Sequence, residues 1–185
     1  MNVLFFIFVI IIFIIFFKFC IFKFIPKKSR EIYSIRWVHR GWHFYYPENT
    51  IKACKEPLIK EKGWGVELDV RRLNDGNIIC FHDFYTNRLL SIPGTITKYS
   101  YNELKEYNIL DSKETVPLLK NILEYFEGDI PVLIDVKGYM NKNFRRNLLI
   151  TIFQYETKYK TKVYFQAKNL FTYFKLYYFF PRRTF

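Results

Sequence analysis

Apolar and polar positions follow two regimes along this chain. From Val3 to Phe17 every position is apolar (VLFFIFVIIIFIIFF), and with Lys18 and Lys23 as interruptions the run continues to Ile25, ahead of Pro26. As a helix, residues 3–25 would extend about 34 Å at roughly 1.5 Å per residue, enough for a hydrocarbon core of about 30 Å. The pattern therefore predicts a transmembrane anchor over residues 1–25, its two lysines snorkelling toward the head groups. Met1 and Asn2 carry no side-chain charge and no Ala-x-Ala-like site follows, which favours an uncleaved anchor over a signal peptide. Lys18, Lys23, Lys27, Lys28, Arg30 and Arg36 all flank its C-terminal side, so the positive-inside rule predicts a single-pass membrane protein with a cytoplasmic domain. Residues 26–34 read as a short basic tether and residues 35–185 as one domain.

Beyond the tether the period changes. Runs with strand character stand at Ile35–Val38, Gly65–Val70, Asn77–Phe81, Ile130–Val136 and Lys162–Phe165. Helical spacing predicts helices over Asn49–Lys62, Tyr101–Tyr107, Val116–Phe126 and Asn143–Tyr155. Asn49 or Thr50 can cap the first, and Ser100 with Glu103 forms a capping box for the second. Strands alternating with helices predict an α/β fold with a parallel sheet. Only Arg71–Asn77 separates the second strand from the third, with a turn signal at Asn74-Asp75-Gly76. That is too short for a parallel crossover and reads locally as a hairpin, which leaves the geometry there open.

Charge adds a direction to this picture. The 185 residues carry 29 Lys and Arg against 17 Asp and Glu, a net +12 that favours anionic partners. With 50% hydrophobic and 21% aromatic residues the chain is not a disordered polyelectrolyte, and no nucleic-acid-binding motif accompanies the charge. Cys20, Cys54 and Cys80 form no Cys-x-x-Cys and no disulfide framework, and read as buried or lipid-facing thiols.

Polar residues gather where the predicted strands end: His39 and Arg40, Glu67 and Asp69, His82 and Asp83, Asp135 and Lys137. Strand alternation puts Glu67 and Asp69 on one face, and Asp135 and Lys137 likewise. Three carboxylates without a thiolate suit a hard cation, Mg²⁺ or Ca²⁺. Two histidines suit proton transfer near neutral pH, and Arg40 and Lys137 suit an anionic substrate. Together these fit metal-assisted hydrolysis of a phosphate ester. Each part also has a plainer reading, as a solvated strand edge, a surface histidine or a helix start.

The order of the motifs is more specific than any one of them. His39-Arg40-Gly41, Pro47-Glu48-Asn49-Thr50-Ile51, Glu67-Leu68-Asp69-Val70, Asp75-Gly76, His82-Asp83, Val116-Pro117-Leu118-Leu119 and Ile134-Asp135-Val136-Lys137 follow one another as in the glycerophosphodiester phosphodiesterase family, which this sequence resembles from about Ile35 to Lys137. The resemblance implies a TIM-type (β/α)₈ barrel that hydrolyses a glycerophosphodiester to sn-glycerol 3-phosphate and an alcohol. It further implies His39 and His82 as the acid/base pair, with their roles shared, and Glu67, Asp69 and Asp135 as ligands of a divalent metal ion. Arg40 and Lys137 match the family's phosphate-holding cations. The expected partners are a glycerophosphodiester or lysophospholipid substrate, the lipid bilayer through residues 3–25, and a further chain that completes the barrel. No nucleic acid is expected.

Four departures qualify the match. Asp135 stands where the family usually has Glu, and one methylene less reach bears on metal choice. Asn87–Thr95 lacks the usual Thr- and Gly-rich loop, and an aromatic stretch with His43 fills Trp42–Tyr46. Residues 35–185 also fall short of the roughly 200–250 that a (β/α)₈ barrel takes. The expectation is a C-terminally truncated barrel, with completion by a partner chain and a compact variant as the other readings. The basic, aromatic segment from Asn141 onward, with Glu156 its sole acid, reads either as a lipid-facing patch or as barrel helix lacking its cover. The competing functions are a non-catalytic remnant at a membrane and a related lysophospholipase D-type phosphodiesterase.

Overall fold

A computed structural model describes residues 3–24, 32, 34–55, 63–168, 170–180 and 183–184. The chain divides into two compact units, residues 1–34 and 35–185. The first contains helix α1 (Val3–Phe24). Among the described residues no helix is long and apolar enough to cross a membrane. That finding corrects the expected transmembrane helix and single-pass location. The predicted tether at 26–34 lies almost wholly outside the described residues.

The second unit is built on a five-stranded sheet of β1 (Arg36–His39), β2 (Trp64–Arg72), β3 (Ile78–Cys80), β4 (Val132–Val136) and β5 (Val163–Gln166). Strand order is β1-β2-β4-β5, all parallel, with β3 paired antiparallel to β2. The short link after β2 is thus a hairpin inserted into an otherwise parallel sheet. Its turn is closed by Asp75, whose carboxylate accepts from the Asn77 and Tyr101 backbone N–H groups. The β3 partners are Val70–Arg72, beyond Glu67, the last residue paired with β1.

Helices α2 (Ile51–Cys54), α5 (Leu119–Phe126), α6 (Lys142–Tyr159) and α7 (Leu170–Phe179) form the crossovers and the C-terminal helix. Helix α2 is shorter than the sequence predicts: Thr50 caps it, its hydroxyl accepting from Ala53 N–H, and residues 56–62 lie outside the described set. Two short helices, α3 (Asn87–Leu90) and α4 (Tyr101–Leu104), follow β3. The capping box on α4 is present, Ser100 and Glu103 each satisfying the other's backbone N–H.

Two apolar cores result. The larger takes Val66, Leu68 and Val70 of β2, Val132, Ile134 and Val136 of β4, and Val163 and Phe165 of β5, against Leu119, Ile122 and Leu123 of α5 and Leu148 and Ile152 of α6. The smaller lies within residues 73–118 and packs Leu73, Ile79 and Phe81 against Leu89, Leu90, Ile96, Leu104, Ile109 and Val116. With the even-numbered side chains of β2 and β4 in the larger core, alternation assigns the odd-numbered ones to the opposite face. Cys54 and Cys80 are buried and unpaired, and burial pushes both thiols well above their ordinary range, so neither serves as a nucleophile.

Candidate active site

The odd-numbered face carries the polar residues. Glu67 and Asp69 rise from β2, and Asp135 from β4 stands in register with Asp69. All three carboxylates are buried, and each offers an oxygen within 4.8 Å of the other two. Asp135 Oδ1 has no hydrogen-bond donor, and Asp69 Oδ1 faces Lys137 Nζ at 2.9 Å without hydrogen-bond geometry. Buried carboxylate oxygens left without donors are costly unless a cation completes them. Three hard oxygen donors this close fit a divalent metal ion, and the Asp at 135 reaches the cluster despite its shorter side chain.

Two cations partly offset this charge. Lys137 Nζ lies 2.6 Å from Asp135 Oδ2, and Arg40 Nε lies 3.1 Å from Asp69 Oδ2. Three carboxylates against two cations leave one negative charge, so a dication would make the cluster net positive and receptive to a phosphodiester anion. Burial, with Asp69 beside it, pushes the Glu67 carboxyl up to about 7, although the Arg40 backbone N–H donates to Glu67 Oε2 at 3.1 Å.

A sharp turn presents the residues that follow β1. Arg40 and Gly41 both adopt positive φ, +56° and +73°. Trp42 N–H donates to the Ala53 carbonyl and Asn49 N–H to the Arg40 carbonyl, which folds the loop back on α2. This brings Asn49 against Asp69: its Nδ2 donates to Asp69 Oδ2, and its Oδ1 accepts from the Asp69 backbone N–H, each at 3.0 Å. Asn49 is therefore a brace for a carboxylate, whereas the sequence offered it as a helix cap. Asparagine tolerates the positive φ (+58°) that this position takes.

The histidines flank the cluster. His39 is in register with Glu67, its Nε2 4.0 Å from Glu67 Oε2. Partial burial and then the neighbouring Arg40 lower its pKa, which favours the neutral ring. His43, read from sequence as a loop residue, donates Nδ1–H to the His39 carbonyl at 2.9 Å and sets its ring edge-on to His39 at 5.5 Å. His82 follows β3, and its Nδ1 lies 2.7 Å from Asp83 Oδ1. A hydrogen bond from Arg88 holds Asp83 down at about 2, so the ionised carboxylate accepts from Nδ1–H, which leaves the ring lone pair on His82 Nε2.

Sequence reasoning missed what ties these parts together. Arg88 on α3 donates from Nε to Asp83 Oδ2 at 2.5 Å, and from Nη1 and Nη2 to the two oxygens of Glu48 at 3.0 and 2.8 Å. Glu48 in turn accepts from Arg40 Nη1 at 3.0 Å. One guanidinium thus links the carboxylate behind His82 to the one behind Arg40. Glu48 and Arg88 lie forty positions apart, and no local pattern pairs them. Gln166, at the end of β5, reaches Glu67 Oε1 at 3.4 Å.

Fold and site together define an α/β protein with a buried, cation-fitting carboxylate cluster at the C-terminal ends of parallel strands, ringed by two histidines and basic side chains. The chain belongs to the Glycerophosphoryl diester phosphodiesterase family, whose model matches residues 39–177. A glycerophosphodiester phosphodiesterase from Bacillus altitudinis is 36% identical over 105 residues, covering 54% of this chain and 42% of the relative. A solved glycerophosphodiester phosphodiesterase from Agrobacterium tumefaciens aligns with a TM-score of 0.69 at 22% identity, covering 81% of this chain and 64% of that one. An Oleispira antarctica phosphodiesterase, solved with the product sn-glycerol-3-phosphate, aligns at 0.65 and 22% identity, covering 86% and 64%. The fold is accordingly TIM-barrel-like, and the chain spans about two fifths of the curated relative's length.

Proposed function

We propose that residues 35–185 form a glycerophosphodiester phosphodiesterase domain that releases sn-glycerol 3-phosphate and an alcohol. The observation that carries this reading is the buried cluster of Glu67, Asp69 and Asp135, with His39 and His82 at its rim. Glu67, Asp69 and Asp135 would hold a divalent ion, which when bound supplies Lewis-acid polarisation of a phosphoryl oxygen. Arg40 and Lys137 hold the phosphate by charge-assisted hydrogen bonds. His39 and His82 exchange protons with the attacking and departing oxygens, and Asp83 keeps His82 in the tautomer whose Nε2 faces the reaction. Asn49 keeps the Asp69 carboxylate aimed into the cluster.

The test is release of glycerol 3-phosphate from glycerophosphocholine by the full chain with Mg²⁺, Ca²⁺ or EDTA. Metal-dependent product is expected, lowered about 100-fold or more by His39→Ala or His82→Ala. Product formed equally in EDTA, or undiminished in both variants, would refute the reading.

A further inference from the structure

We propose that Arg71 is an additional anion-binding residue, which selects glycerophosphodiesters whose leaving alcohol carries a carboxylate. The proposal rests on the phosphodiesterase reading and concerns what lies beyond the scissile phosphate.

β2 stays hydrogen-bonded through Arg72, where the hairpin partner β3 holds it. Glu67, Asp69 and Arg71 therefore occupy successive positions on the same face, opposite Val66, Leu68 and Val70 in the apolar core. Two residues along a strand are about 7 Å, so Arg71 stands that much farther toward the strand ends than Asp69. Its neighbours are the loops that bear the rest of the site. Nε donates to the His82 carbonyl at 2.8 Å, and the guanidinium lies 5.9 Å from the centre of the Phe84 ring. On the other side, Nη1 would stand 3.5 Å from a Cβ placed on Gly138, the residue after Lys137. That is ordinary contact, so the fork lies against the loop that follows β4.

The two Nη groups have no hydrogen-bond acceptor among the described residues. Arg40 and Lys137 make direct ion pairs with Asp69, Asp135 and Glu48, whereas Arg71 feels Asp69, Asp83 and Asp135 only at longer range. A guanidinium pinned through Nε, backed by an aromatic ring and open at its fork, is preorganised for a planar anion. Its offset from the cluster matches a group several bonds beyond the phosphorus, and its charge disfavours a cationic alcohol such as choline.

Glycerophosphoserine and glycerophosphoethanolamine differ by one carboxylate and yield the same glycerol 3-phosphate. The full chain is expected to have the higher kcat/KM for the serine diester. Arg71→Gln should lower the serine-to-ethanolamine ratio about tenfold and Arg71→Lys by less, since a lysine keeps the charge and loses the fork. Taking the ratio within each variant removes any general loss of active protein.

A second measurement decides the matter if neither diester is hydrolysed, which would defeat the phosphodiesterase reading by itself. Calorimetric binding of O-phosphoserine and O-phosphoethanolamine to the wild-type chain is expected to favour phosphoserine. Arg71→Gln should abolish that preference. Equal binding of the two by wild type, a preference that survives in Arg71→Gln, an equal weakening of both ligands by the substitution, or binding of neither would each overturn the proposal.

Discussion

The protonation of Glu67 connects the acidic cluster to pH. Its pKa, raised to about 7 from an ordinary 4.5 mainly by burial, means that the folded chain binds this proton more tightly than the unfolded chain does. The contribution to stability is therefore most favourable below about pH 4.5, declines as pH rises through the interval to 7, and levels off above it. A divalent cation must displace that proton, so its affinity should climb with pH up to about 7 and flatten thereafter. Calorimetry of Mg²⁺ or Ca²⁺ binding at pH 6 in buffers of different ionisation heat should show release of about one proton per ion. A heat independent of buffer would mean that Glu67 is already ionised. At this scale the carboxylates were legible from sequence, because a period of two places Glu67 with Asp69 whatever the strand's partners. Arg71 was not. Reading the strand as ending at Val70 left Arg71 and Arg72 as a basic pair with no assigned face, and only the pairing with β3 extends the alternation to them.

At the scale of elements, the β1–α2 connection has the least freedom. Gly41 sits at φ +73°, and a Cβ there would meet Ala53 Cβ at 2.9 Å and the Ala53 backbone carbonyl at 3.0 Å. Gly41→Ala should cost about 2 kcal/mol or more, from backbone strain and overpacking together, measured as a shift in the denaturant midpoint. It should also lower turnover, since the same turn carries Arg40 and Asn49 toward Asp69. A variant as stable and active as the parent would show that α2 can retreat. All five strands were readable from composition and alternation, with edges that moved by one or two residues. The helix expected over Asn49–Lys62 is described only from Ile51 to Cys54, and Asn49 stands outside it because its amide satisfies a buried carboxylate in preference to a helix end. The N-terminal apolar run was legible as a helix, whereas the membrane span inferred from it was not supported, since hydropathy alone set that expectation.

At the scale of the whole domain, the two apolar cores should open separately. The larger is built on the sheet, while the smaller closes residues 73–118 around short helices and turns. Native-state hydrogen exchange should find amides of residues 84–115 opening at lower free energy than those of β2, β4 and β5. A single common opening energy would show that the cores are cooperative. The hairpin itself was signalled by Asn74-Asp75-Gly76, but how the segment after it is tied back could not be read from the chain, because contacts such as Arg88 to Glu48 follow no local period.

The two cores also separate two kinds of responsibility. The carboxylates are mounted on strands whose other face builds the larger core, and Lys137 directly follows β4. Phe84 lies in the segment closed by the smaller core, its ring beside the Arg71 guanidinium. Variation in that segment can reshape the surroundings of Arg71 while the carboxylate cluster stays as it is, so under the proposed function substrate preference and chemical competence are free to evolve at different speeds.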